Sequence, residues 1–328
     1  MLTIHFKDVG QGDSIILEWY RDGVEYLGIV DCHRNSHSNP TLEYLKKKGQ
    51  CKIEFILLSH LHYDHYSGMA EVLIYCRTNQ IKVNYFYHTI GPYFLELYNK
   101  IFTSKKIEKT LETFISEYDK FDRFIVIDQG SVTSRTGKLQ LTDSINMSFL
   151  APAGKTYEIF TKQLSRKINK IVTTSADLNK LATIILLHNE SSAALLTSDA
   201  AKQSYAKIKE INRELKLIQV PHHGSWENIR PLFWKSLQKA DKCPAVFSVG
   251  DEPKDKLPNE NTVAYFEQLG YDIFSTNQVY GIAKHFKLPG SYVKSKKGTS
   301  LNSFSKLRAT MPAKLDPKYS GDQKFTIF

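Results

Sequence analysis

The stretch Glu54-Phe55-Ile56-Leu57-Leu58-Ser59-His60-Leu61-His62-Tyr63-Asp64-His65-Tyr66-Ser67-Gly68 constrains this chain more than any other. A run of apolar residues without strict alternation predicts a strand covered on both faces. It ends abruptly in three histidines and an aspartate, where open α/β sheets build their sites. Imidazole and carboxylate are ligands for divalent metals such as zinc and manganese. His60 and His62 can converge on one ion, because alternate residues of an extended segment point the same way. Asp64 and His65 follow as the backbone turns toward a helix, where they can address a second ion. The plain alternative is a solvated histidine-rich loop, and matching partners downstream weigh against it.

Those partners lie at the ends of other apolar runs. Ala193-Ala194-Leu195-Leu196-Thr197-Ser198-Asp199 predicts a strand ending in a carboxylate. A charge at the end of so apolar a strand needs a partner, and cations would provide it. Leu217-Ile218-Gln219-Val220-Pro221-His222-His223-Gly224-Ser225 is again strand to loop. Five of the 11 histidines (His60, His62, His65, His222, His223) fall in two short motifs. Near the start, Leu2 to Phe6 and Ile15 to Trp19 read as strands flanking Asp8-Val9-Gly10-Gln11-Gly12-Asp13-Ser14, whose two glycines permit a tight turn.

These segments resemble the metallo-β-lactamase superfamily: H-x-H-x-D-H at His60 to His65, and L-L-T-G-D at Leu195 to Asp199 with Ser198 replacing the glycine. More narrowly they resemble its ComEC-like branch, the hydrolase domain of the DNA-uptake protein, which also includes phosphorylcholine esterases. The narrower likeness rests on D-V-G-Q-G-D-[AS] at Asp8 to Ser14 and V-x-H-H-G-S at Val220 to Ser225. The resemblance runs to about residue 285. It implies an α/β fold, a four-layer αβ/βα sandwich of two mixed β-sheets flanked by helices. It implies two divalent ions, Zn2+ or Mn2+: one held by His60, His62 and Asp177, the other by Asp64, His65 and His223, with Asp199 bridging. Asp177 of Asp177-Leu178-Asn179 takes the place of the third histidine of many relatives; a turn or helix-capping role is its alternative. Of the histidine pair, one completes a metal shell and the other donates a proton or binds substrate; the order taken is His223 as ligand and His222 toward substrate. The catalytic set is then Asp64, Asp199 and His222. Asp31, ending the strand Tyr26 to Val30, and Asp8 are expected behind the ligands. The chain departs from the pattern at Cys32-His33, where a small residue and glycine are expected, and at Leu257-Pro258-Asn259, where the branch often has His-Pro.

The rest predicts helices at Pro40 to Lys48, Met69 to Tyr75 and Thr262 to Leu269. Strands are predicted at Asn84 to His88, Phe124 to Ile127, Ile145 to Leu150, Ala182 to Leu187, Ala245 to Gly250 and Tyr271 to Thr276. His33 is expected in a mobile loop, and His88 as a structural histidine near the site. One hydrolase domain is expected over residues 1–288, with one or two inserted helices at 93–122, and a basic, flexible tail over 289–328. The segment Lys155 to Thr174 is densely basic and reads as a phosphate-contacting helix or a solvated one.

A net charge of +10 favours an anionic partner, nucleic acid first, although many proteins are basic without one. Hydrophobic content of 41% suits a folded chain, and no apolar run approaches the roughly 18 residues of a membrane span. Four cysteines without a C-x-x-C pair point to reduced thiols and a cytoplasmic setting. The expected activity is a metal-dependent phosphodiesterase or nuclease. Hydrolysis of another small ester (phosphorylcholine ester, lactone or thioester) is the alternative. A third is a partner-gated module that docks through tail or inserted helices.

Overall fold

A computed structural model describes residues 1–35, 37–49, 51–89, 105–124, 128–166, 178–252, 254–287 and 317–328. The fully apolar run becomes strand β4 (Lys52–Leu58), buried from Ile53 onward. Its two faces serve two cores. Ile53, Ile56 and Leu58 pack outward against helices, while Phe55 and Leu57 face inward. This explains why the segment shows no polar alternation.

Around β4 the first sheet is built from β1 (Leu2–Phe6), β2 (Ile15–Arg21), β3 (Val24–Val30), β5 (Val83–His88), β6 (Asp128–Ser131) and β14 (Gln323–Ile327). Its order is β14-β1-β2-β3-β4-β5-β6. The pairs at its β1 side are antiparallel, and β3 to β6 run parallel. The second sheet has the order β13-β12-β11-β10-β9-β8-β7. Its strands are β7 (Leu139–Gln140), β8 (Asn146–Ala151), β9 (Ile184–His188), β10 (Ser192–Leu196), β11 (Glu214–Gln219), β12 (Pro244–Phe247) and β13 (Asp272–Ser275). There β10 to β13 are parallel. One apolar cluster, including Ile4, Leu17, Trp19, Phe55 and Leu57 with Met147, Ile185, Leu187, Leu196 and Val246, joins the two sheets face to face.

Helices cover the outer faces. On the first sheet lie α1 (Pro40–Lys48), α2 (Tyr63–Tyr66), α3 (Met69–Thr78) and α4 (Lys105–Phe124). Helix α5 (Gly154–Arg166) adds Phe160 to the same outer core. The second sheet carries α6 (Lys202–Tyr205), α7 (Pro231–Ser236), α8 (Glu260–Gln268) and α9 (Tyr280–His285). The fold is therefore the expected α/β sandwich of four layers. Helix α1 begins where its sequence says it should. Asn39 accepts from the Leu42 N–H at 3.1 Å, Pro40 opens the first turn, lysines fill the last, and Gly49 leaves at φ +73°. Among the described residues no helix is long and apolar enough to cross a membrane.

Two expectations change. Phe124 ends α4 rather than starting a strand, residues 125–127 lie outside the described residues, and the next strand described is Asp128–Ser131. Leu111, Phe114, Tyr118 and Phe121 keep one helical stripe against α3 and β5, with Tyr66 and Phe86 in ring contact with it. The inserted region expected at 93–122 is thus described from residue 105 as one helix of the outer layer. Finally, of the tail expected over 289–328, residues 289–316 lie outside the described residues, and the described end is not flexible throughout but forms β14, paired with β1 through Leu2↔Ile327 to Phe6↔Gln323. Its alternation is short, and its partner lies at the other end of the sequence.

Candidate metal centre

The parallel strands of both sheets deliver their loops to one rim. After β4, α2 starts at Tyr63, with His62 extended at φ −97° and ψ 148°, and His60 Nε2 lies 2.8 Å from His62 Nδ1. His60 and His62 therefore share a face, while Asp64 and His65 ride the first turn of α2. From the second sheet, Asp199 follows β10 and the His222–His223 pair follows β11. Both histidines are left-handed, at φ +46° and +52°, which splays their rings to an interplanar angle of 74°.

Asp199 is the centre of the group. Its Oδ2 lies 3.4 Å from His65 Nε2, 3.5 Å from His222 Nε2 and 3.9 Å from His60 Nε2. Its Oδ1 lies 3.4 Å from His223 Nε2, which is also 3.3 Å from Asp64 Oδ2. Two donor sets result, each within 4.8 Å: Asp64, His65, Asp199 and His223; and His60, His62 and Asp199. A further group of Asp13, Asp31 and His65 is a brace, because His65 Nδ1 already makes a 2.7 Å hydrogen bond to Asp31 Oδ2. Asp177 falls outside the described residues.

The brace fixes which ring atoms face inward. His65 Nδ1–H donates to Asp31, and His223 Nδ1–H donates to the Ser248 carbonyl at 2.7 Å. Each leaves Nε2 toward the carboxylates. Asp31 sits at φ +57° and also accepts the Ser59 N–H (2.7 Å) and hydroxyl (2.6 Å). Gln219 accepts the N–H groups of Thr197 and Ser198 through Oε1 and donates to Asp13 Oδ2 at 2.8 Å. The N-terminal loop thereby supports the turn that carries Asp199.

A metal fits this donor set. His65 Nε2, His223 Nε2 and Asp199 Oδ1 are buried without a hydrogen bond among the described residues, facing one another or carboxylates instead. A cation satisfies such a group. Burial pushes His60 well below its ordinary pKa and lowers His62, which keeps both rings neutral, the form a metal binds. Burial opposes charge on His65 and His223 too, but Asp199 and its neighbours outweigh it. His65 rises well above its usual value and His223 to about 10. Against their own burial, the histidines hold Asp199 and Asp64 below the usual carboxylate range. The pocket draws positive charge, as protons or as metal.

The other expected residues lie around this centre. Asp8 binds Asn277 Nδ2 at 2.7 Å and takes the Gly10 N–H, bracing the loop at the rim; Asp13 is the carboxylate of that loop that approaches the candidate ligand His65, 3.8 Å from its Nδ1. His33 is buried rather than mobile, bonded through Nδ1 to Ser67 Oγ at 2.7 Å. His88 is buried with neither ring nitrogen hydrogen-bonded among the described residues, and burial lowers its pKa to about 4. Sequence reasoning passed over Ser59, Gln219 and Ser248, which carry no metal-ligand chemistry of their own.

A family model described as the metallo-beta-lactamase superfamily matches residues 12–140 of this chain. No curated protein matches the chain by sequence. Among solved structures, the metallo-beta-lactamase fold protein YhfI from Bacillus subtilis is 9% identical over 84% of this chain and 96% of that one, with a TM-score of 0.42. Zn2+-bound PqqB from Methylobacterium extorquens is 6% identical over 84% and 98%, with a TM-score of 0.44. A diphosphatase from the PhnP family is 14% identical over 99% and 98%, with a TM-score of 0.39.

Proposed function

We propose that this chain is a dinuclear metal-dependent hydrolase that cleaves phosphodiesters, with nucleic acid as its substrate class. The observation that carries the reading is that two donor sets meet at one shared carboxylate, Asp199. His60 and His62, with Asp177, would hold one ion; Asp64, His65 and His223 would hold the other. Zinc or manganese bound there would supply an ionised water near neutral pH and positive charge against phosphoryl oxygens. The chain's own residues do the rest. Asp31 and the Ser248 carbonyl orient His65 and His223. His222, whose side chain is 27% exposed, stands at the mouth with Nδ1 3.3 Å from Asn179 Nδ2. That contact makes Nδ1 the acceptor and leaves the proton on Nε2, ready for a departing oxygen. The net charge of +10 favours a polyanion over a neutral ester.

Purified protein should cleave labelled single- or double-stranded DNA or RNA with zinc or manganese added, and Asp199→Ala should abolish turnover while the chain stays folded. Turnover of small neutral esters without nucleic-acid cleavage would overturn the substrate assignment. Retained cleavage in Asp199→Ala would overturn the site.

A further inference from the structure

Ser198 precedes the shared carboxylate, is 4% exposed and holds a left-handed φ of +45°. Glycine adopts that conformation freely, and a β-carbon opposes it. The side chain that occupies this position does one thing: its Oγ lies 2.7 Å from Ser59 Oγ, 139 residues away and equally buried. The direction of the bond follows from its neighbours. Ser59 Oγ–H is committed to Asp31 Oδ2 at 2.6 Å, because a carboxylate that also takes the Ser59 N–H and His65 Nδ1–H can only accept. Ser198 Oγ–H therefore donates to Ser59. His60 Nδ1, 3.1 Å from the same oxygen, is the second donor to it. Ser59 then gives one hydrogen bond and receives two. His60 carries its proton on Nδ1, and its Nε2 lies 2.8 Å from His62 Nδ1 and 3.9 Å from Asp199 Oδ2.

We propose that Ser198 is a positioning residue for the metal centre: its hydroxyl bonds Ser59 and so latches the loop after β10, which bears Asp199, to the loop after β4, which bears His60 and His62. This rests on the metal-site reading above. The latch joins the two sheets at the one carboxylate that both donor sets share. Gln219 holds the same turn by its backbone, through the N–H groups of Thr197 and Ser198. The hydroxyl adds a link to the histidine loop that backbone bonds do not supply.

The test is zinc affinity of the folded full chain, read by competition with a chromophoric chelator, alongside thermal melting of the metal-free proteins. Ser198→Ala keeps the β-carbon and loses the bond; Ser198→Gly relieves the backbone and loses the bond. Both should bind zinc about tenfold or more weakly than wild type, the usual effect of removing a partner behind the ligands. Ser59→Ala should weaken binding at least as much, and Ser59→Ala with Ser198→Ala no further than Ser59→Ala alone. Unchanged affinity in Ser198→Gly overturns the proposal. So does a lower melting temperature with unchanged affinity, which is a structural role only. Wild-type protein that binds no zinc or manganese overturns the metal-site reading itself, and this is seen before any variant is compared.

Discussion

At Gly12 a single missing β-carbon lets the N-terminal loop and the histidine motif touch. A β-carbon there would lie 2.5 Å from the Asp64 carbonyl oxygen and 2.6 Å from the His33 ring, with φ at +150°. That carbonyl also accepts the Asp13 N–H at 3.0 Å, so the contact cannot open without moving the turn that carries Asp64 and His65. Gly12→Ala is expected to destabilise the chain by about 1–3 kcal/mol, the usual result of forcing volume into a packed site. It should also weaken zinc binding. Chemical denaturation and a zinc titration of the same preparation check both, and wild-type affinity would show that the loop does not set the ligand geometry. The ligand candidates themselves were legible because they carry the chemistry: histidine and aspartate at tight spacing announce a site. Their supports were not. Gln219 reaches Asp13 across 206 positions, and Ser59 reaches Ser198 across 139. A glutamine or serine in an apolar neighbourhood gives no sequence signal until the fold brings its partner beside it.

At the scale of elements, signals confined to one segment were readable and signals shared between distant segments were not. Helix α1 carries its own cap, first-turn proline and closing lysines, and its boundaries follow from them. Phe124 to Ile127 reads as a strand on apolar content, yet Phe124 is the last residue of α4. Strand β14 has a weak pattern and exists because β1 offers an edge. The same cooperation between elements appears where β1, β2, β3 and α1 meet. Glu18 of β2 is bonded by Tyr44 and Lys48 of α1 and by His5 of β1, and Lys48 also reaches Glu25 of β3. Burial would raise the Glu18 pKa, but the hydrogen bonds from Lys48 and Tyr44 and the Lys48 charge hold it down at about 2, below its ordinary 4.5. A carboxyl lowered on folding contributes stability that is present above pH 4.5 and lost as the pH falls toward 2. With solvent screening the contribution is about 1 kcal/mol. Glu18→Gln should lower stability by that order at pH 7, and the gap from wild type should close between pH 4.5 and pH 2. Urea unfolding of both proteins across that range measures it; a gap that stays constant with pH would assign the effect to packing instead of charge.

In the whole molecule, two mechanisms hold the sheets together, and they should separate on metal removal. The first is the inter-sheet core, where Trp19, Phe55 and Leu57 of one sheet meet Met147, Leu187 and Val246 of the other. It persists without any ion, since burying a side chain of this size contributes about 1.5–3 kcal/mol. The second is the rim, where Asp64 and His65 from the first sheet and Asp199 and His223 from the second present buried donors to one another. Without a cation the facing carboxylates, against burial, raise the pKa of His65 and His223. With one, the native state alone assembles the full donor set, and stability rises by about 2.7 kcal/mol when free metal is a hundredfold above its dissociation constant. Chelation should therefore lower the melting temperature while leaving a single cooperative transition, because the core still joins the layers. Replenishing zinc or manganese should restore it in proportion to the logarithm of free metal. An Asp199→Ala protein should melt at one temperature with or without added metal. If that variant still gained stability from zinc, the ion would be binding elsewhere, and the shared carboxylate would not be the point at which the two halves of the fold are joined.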